Sequence, residues 1–87
     1  MKQPSNKRTD IEWTSYLACA HAEGFCEGDD TTPEAQMEAW SFIAINGFWR
    51  ELQGFYGRTI RTLTIQGLLD KSGEINWNEF DNRMEII

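Results

Sequence analysis

Eighty-seven residues make one domain at most. A net charge of −6 argues against general nucleic-acid binding, because phosphate contacts need cations. No apolar run approaches the roughly 18–20 residues of a membrane span, so no membrane association is expected.

A chain this short buries only about 60–65% of its unfolded surface, so it needs a dense core or an oligomer. Four Trp, five Phe and two Tyr supply large apolar area per residue. They are more than a small monomer easily hides, so an aromatic protein interface, with a homo-oligomer as one form of it, is expected. Two cysteines and the absence of a signal-peptide pattern point to a reducing cytoplasm.

Residues 1–9 are polar and basic, with Lys2, Lys7 and Arg8, and read as a disordered arm ahead of a single helical domain over 10–87. Thr9 followed by Glu12 has the form of a capping box and predicts a helix from about Asp10 to Glu23, stopped by Gly24. A turn-rich loop over 25–31 follows. Thr31 with Glu34, and Pro33 in the first turn, start a second helix that runs to about Ile45 and ends at Asn46-Gly47. Trp49, Leu52, Tyr56, Ile60 and Leu63 recur at steps of three or four and predict a third helix over about 48–66, closed by Gly67. This third helix is expected to be the spine. Lys71-Ser72-Gly73 reads as a turn and residues 74–77 as a short extended piece. Asn76 or Asn78 can cap a short final helix with Phe80 and Met84 facing inward.

The expected fold is therefore mainly α: a small bundle of three helices plus a short C-terminal helix. Its expected core is Trp13, Leu17, Trp40, Ile43, Trp49, Leu52, Tyr56, Ile60 and Leu63. Leu52→Ala is expected to cost on the order of 2–5 kcal/mol.

Charge is segregated along the chain. Residues 10–40 carry Asp10, Glu12, Glu23, Glu27, Asp29, Asp30, Glu34 and Glu38 with no Lys or Arg. Such a surface steers a basic protein partner. On the third helix, Arg50, Gly54, Gly57 and Arg61 recur at steps of four, three and four and so share a face, with Arg58 near it. Each glycine costs a helix roughly 1 kcal/mol relative to alanine. Paired small residues admit a second backbone, and the arginines can fork onto carboxylates. That face is either a contact surface for a partner, a second copy or an anionic ligand, or a seat for the alanine-rich first helix.

Catalysis finds little support. His21 has no nucleophile arrangement around it, and no phosphate-binding glycine loop is present. Cys19, His21 and Cys26 have poor spacing for zinc, since residues two apart on a helix point about 200° away from each other. No cofactor is expected.

Two resemblances attach to these residues. The run Asp70-Lys71-Ser72-Gly73-Glu74-Ile75-Asn76-Trp77-Asn78-Glu79-Phe80 resembles the second half of an EF-hand calcium loop. In that register Asp70, Ser72 and Glu79 are ligands, but Leu68 stands where the first aspartate belongs, which weakens calcium binding. The run from Trp49 to Thr59, with Leu63, Gly67 and the upstream Thr32-Pro33-Glu34, resembles a pattern in short proteins encoded by bacteriophages and plasmids. That resemblance implies an accessory gene of a mobile element, acting in the cytoplasm of a bacterial host.

The expected function is a non-enzymatic protein-binding accessory factor that inhibits or redirects a host protein, for instance one of host defence or nucleic-acid handling. Its acidic positions Glu23, Glu27, Asp29, Asp30, Glu34 and Glu38 would meet a basic surface on that protein, and Phe25 and Phe55 would anchor it. Arg50, Gly54, Gly57, Arg58 and Arg61 complete the candidate contact set. The alternatives are a degenerate EF-hand-like calcium module, and nucleotide or RNA binding through Arg50, Arg58 and Arg61.

Overall fold

The computed structural model describes residues 1–23, 32–52 and 54–85, with the backbone alone for the last two. Among these residues the fold is mainly helical: α1 (Ser15–Ala22), α2 (Pro33–Asn46), a short 3₁₀ helix (Phe48–Glu51), α3 (Gly54–Ile65) and α4 (Trp77–Glu85).

The spine is α2, not the third helix. Ala35 and every residue from Met37 to Ile43 are buried, which exceeds a full helical turn and so leaves no solvent face over that stretch. Small residues let neighbours close in: Ala39 and Ser41 are fully buried, as is Ala18 on α1, the helix that packs closest to α2. The start of α2 is well specified. Thr32 accepts a hydrogen bond from the Ala35 amide at 3.1 Å, one residue later than the expected cap, and Pro33 takes the first helical position. Gly47 closes the helix at φ 71°, its amide donating to the Ile43 carbonyl.

The expected helix over 48–66 is broken. Leu52 is extended, with φ −95° and ψ 179°, between the 3₁₀ helix and α3. The break lets the Trp49 indole return over Gly57. A Cβ on Gly57 would lie 3.1 Å from Cζ3 of that ring. In one continuous helix these positions, eight residues apart, would stand about 12 Å apart along the axis. Of the expected core, Trp13, Trp40, Ile43, Tyr56 and Ile60 are buried, and Leu17, Trp49 and Leu63 pack partly buried against them. Leu52 is 37% exposed and is not core. Its regular spacing relied on a helix that ends before it.

Threonines of α3 satisfy their hydroxyls within the helix, Thr59 on the Phe55 carbonyl and Thr62 on that of Arg58. The helix closes with Gly67 at φ 80° and the Leu68 amide on the Leu63 carbonyl, a Schellman turn. The following loop is pinned by an antiparallel bridge between Leu69 and Ile75. It lies directly on α2: Ser41 Oγ donates to the Gly73 carbonyl at 2.6 Å. Gly73 has φ 93°, and a Cβ there would sit 2.9 Å from the Ile45 amide nitrogen. Both facts require glycine. Asn76 then caps α4, its Oδ1 accepting from the Glu79 amide.

The first helix begins at Ser15, capped by Thr14, rather than at Asp10. Residues 1–13 run as a strap across α2 and α4 instead of hanging free. Gln3 and Trp13 exchange two hydrogen bonds of 2.7 Å, and Asn6 bonds the Ile75 carbonyl and accepts from Trp77 Nε1. Arg8 forks onto Asp81 at 2.8 Å and lies 4.3 Å from the Trp77 ring centroid. The Thr9 hydroxyl, expected to cap a helix, is used on Glu38 instead.

Candidate interaction surface

Glu38 is fully buried, so it cannot be part of an acidic docking surface. Its Oε2 accepts from the Arg8 and Thr9 amides at 2.6 and 2.7 Å. Its Oε1 accepts from Thr9 Oγ1 at 2.6 Å and Trp13 Nε1 at 3.1 Å. Burial alone would raise its pKa, but these four bonds outweigh it and hold the carboxyl below its ordinary value. Glu38 is thus the pin of the strap.

Other acids are also engaged within the fold. Glu23 accepts from the Tyr56 hydroxyl at 2.6 Å, linking the end of α1 to α3. Burial and then this bond raise the Tyr56 pKa. Cys19 lies beside the same hydroxyl, and burial raises its thiol as well, which is the opposite of nucleophile activation. His21 sits edge-on to Trp13, with its pKa lowered by burial. Glu34 is half-buried in the first turn of α2. Phe25, Glu27, Asp29 and Asp30, as well as Cys26, lie outside the described residues.

The EF-hand-like residues serve the loop. Asp70 Oδ1 accepts from the Ser72 amide and hydroxyl and from the Glu74 amide at 2.7–3.0 Å, which lowers its pKa. Glu79 pairs with Arg83 at 3.0 Å. Among the described residues, no group of three or more His, Cys, Asp or Glu is placed to hold a metal ion.

The corner formed by the 3₁₀ helix and the start of α3 has a different character. Trp49 lies on Gly57, and the Arg50 guanidinium lies 5.3 Å from the Trp49 ring centroid. Arg58 folds back toward the helix start, so that a Cβ on Gly54 would meet its Nη1 at 2.9 Å. Leu52 and Phe55 are 37% and 41% exposed, and Phe55 meets the rings of Trp40 and Tyr56 edge-on. Arg61 is exposed one turn beyond Gly57. Arg50, Gly54, Gly57 and Arg61 therefore do not share the single helix face expected: Arg50 lies on the 3₁₀ helix, beside the Trp49 ring that covers Gly57, and the other three lie on α3 with Arg58. Among the described residues, a Cβ on Gly54 would meet only Arg58 and one on Gly57 only Trp49, so α1 is not seated on them. Leu52 was missed as a surface residue; the Gly47 stop just upstream was the available signal.

A groove of about 310 Å³ lies elsewhere, between α2 and α4, lined by Pro33, Gln36, Met37, Trp40, Leu63, Leu68, Phe80 and Arg83. Arg83 at its edge donates to the Gln66 carbonyl and pairs with Glu79.

Comparison with protein-family profiles, with curated proteins and with solved structures finds no match to this chain. No described helix is long and apolar enough to cross a membrane.

Proposed function

We infer that this chain is a non-enzymatic protein-binding module whose contact surface is the corner of Leu52, Phe55, Arg50 and Arg58. The observation that carries this reading is the pair of half-exposed apolar side chains, Leu52 and Phe55, within three residues of the exposed Arg50 and Arg58 in the sequence. Partly exposed aromatics beside Arg are the composition of interface anchors. The sequence resemblance to phage- and plasmid-encoded proteins adds the setting: an accessory factor that inhibits or redirects a bacterial host protein. The acidic surface is the weaker contact candidate, since Glu38 is buried and the exposed Glu23 is already bonded to Tyr56.

Affinity capture from bacterial lysate tests this, with wild type beside L52S/R58E and beside D29K/D30K/E34K, all at matched melting temperature. The reading expects one captured protein to be lost with the first variant and retained with the second. Loss with the second alone returns the contact to the acidic segment. Capture of no protein in any arm refutes the module.

A further inference from the structure

We propose that the corner takes an acidic polypeptide segment, one that presents carboxylates around a leucine or aromatic side chain. This rests on the corner being the contact surface and adds the chemistry of its partner. Carboxylates and guanidinium groups are used unequally in this fold. Glu38, Glu74 and Asp81 hold the strap, Asp70 closes its loop, and Glu23 receives Tyr56. Of the arginines, Arg8 and Arg83 are each paired with a carboxylate. Arg50, Arg58 and Arg61 form no ion pair among the described residues, and all three are exposed. An acidic chain thus leaves three guanidinium groups without a carboxylate among the described residues, close in sequence to Leu52 and Phe55, both half-exposed.

Three features select the occupant. Guanidinium forks match carboxylates in pairs, so discrete acids suit them. Leu52 and Phe55, half-exposed and close in sequence to Arg50 and Arg58, offer apolar surface for a side chain carried between two acids. A nucleic acid, with one charge per about 1.7 Å of duplex, meets the chain's net charge of −6 well beyond the arginines, whereas a short segment with a few acids keeps its charges beside them. Glu51 is exposed within the corner and adds a local repulsion that a partner's acids avoid by lying toward Arg58 and Arg61.

The test is an unbiased selection from a displayed random-peptide library on the immobilised full chain. Enriched peptides are then measured by fluorescence anisotropy. The proposal expects enriched sequences to be acidic with a leucine or aromatic. It expects R50E/R58E to weaken their binding by about tenfold or more, and added salt to weaken the wild-type complex. R61E is a second, single charge reversal, expected to weaken binding in the same direction should the double variant fail to fold by circular dichroism. Enriched peptides that are neutral or basic overturn the proposal. If L52S still weakens those peptides, the corner remains a protein-binding surface and only its acidic preference is wrong. Failure to enrich any peptide, or charge reversal that leaves affinity within about twofold, also overturns it. So does tighter binding of a 20-nucleotide poly-dT strand than of any peptide, or sedimentation showing self-association that R58E abolishes.

Discussion

Replacing Glu38 should weaken the fold more than replacing any other acid of the chain. Its carboxylate accepts four hydrogen bonds from the strap and is fully buried. Glu38→Ala leaves four donors without their acceptor. The backbone and hydroxyl donors of Arg8 and Thr9 can regain water in part, but Trp13, at 2% exposure, holds its indole N–H inside. A buried donor left unsatisfied costs about 1–3 kcal/mol, and hydrogen bonds to a charged acceptor are worth about 1.5–3 kcal/mol each. A loss of about 3–5 kcal/mol follows, against a total of about 4–13 kcal/mol for a domain of this size. Glu38→Gln keeps the shape and one carbonyl acceptor. Its amide placed at the Oε1 position suits the Thr9 hydroxyl, which can turn to accept, but it faces the Trp13 N–H donor to donor. That variant should lose about 2–3 kcal/mol. The pH dependence has a definite sign. Glu38 has a folded pKa below its ordinary value of 4.5, so its contribution is present above pH 4.5 and is lost as pH falls through the folded pKa. Urea unfolding followed by tryptophan fluorescence, at pH 7 and across pH 3–5, measures all three effects. A Glu38→Ala stability within about 1 kcal/mol of wild type would refute the pin. So would an acid limb that Glu38→Gln leaves unchanged.

Further substitutions separate the other roles. Gly57→Ala must displace the Trp49 ring, so the expected outcome is a net loss of up to about 2 kcal/mol and a shifted Trp49 emission. Gly54→Ala meets only the end of the flexible Arg58 side chain and should be neutral or stabilising by up to about 1 kcal/mol, in the same denaturant titration. Ile43→Ala, in the fully buried stretch of α2, should cost about 2–5 kcal/mol, whereas Leu52→Ala should cost under about 1 kcal/mol. Equal losses for those two in parallel melts would contradict the break between the 3₁₀ helix and α3. Gly73→Ala combines a positive φ with a clash on the α2 backbone, so hydrogen exchange should show the 66–76 loop opening and stability falling by at least about 2 kcal/mol.

The ends of elements were legible where a local rule and the tertiary fold agree. Pro33, Gly47, Gly67 and Asn76 act where turn and cap chemistry puts them, and the mainly helical class follows from their spacing. The choice of spine was not legible for a physical reason. An amphipathic stripe marks a helix at the surface, so α3 carried the clearest periodicity. A helix enclosed on all sides, such as α2, has no polar face to contrast with its apolar one. Glu38 was legible as a charge but not as a buried one, because its donors lie 25 to 30 residues away along the chain. The same contact misled the reading of Thr9, whose capping pattern is satisfied by a side chain of α2 instead of its own helix. The basic composition of residues 1–9 suggested an arm, whereas Arg8 is held by Asp81 and Trp77 on a helix more than 60 residues further along the sequence. The shared face of Arg50, Gly54, Gly57 and Arg61 was read from a continuous helix, and the extended Leu52 that breaks it was not legible.

The claim that the corner is where this chain binds another protein is tested most directly by photo-crosslinking in bacterial cells. A photoreactive amino acid replaces Leu52 in one version and Asn82, exposed on α4, in another. The account predicts a discrete protein adduct from position 52, lost when R50E/R58E is added, and none from position 82. Adducts from both positions alike, or from position 82 alone, would contradict it.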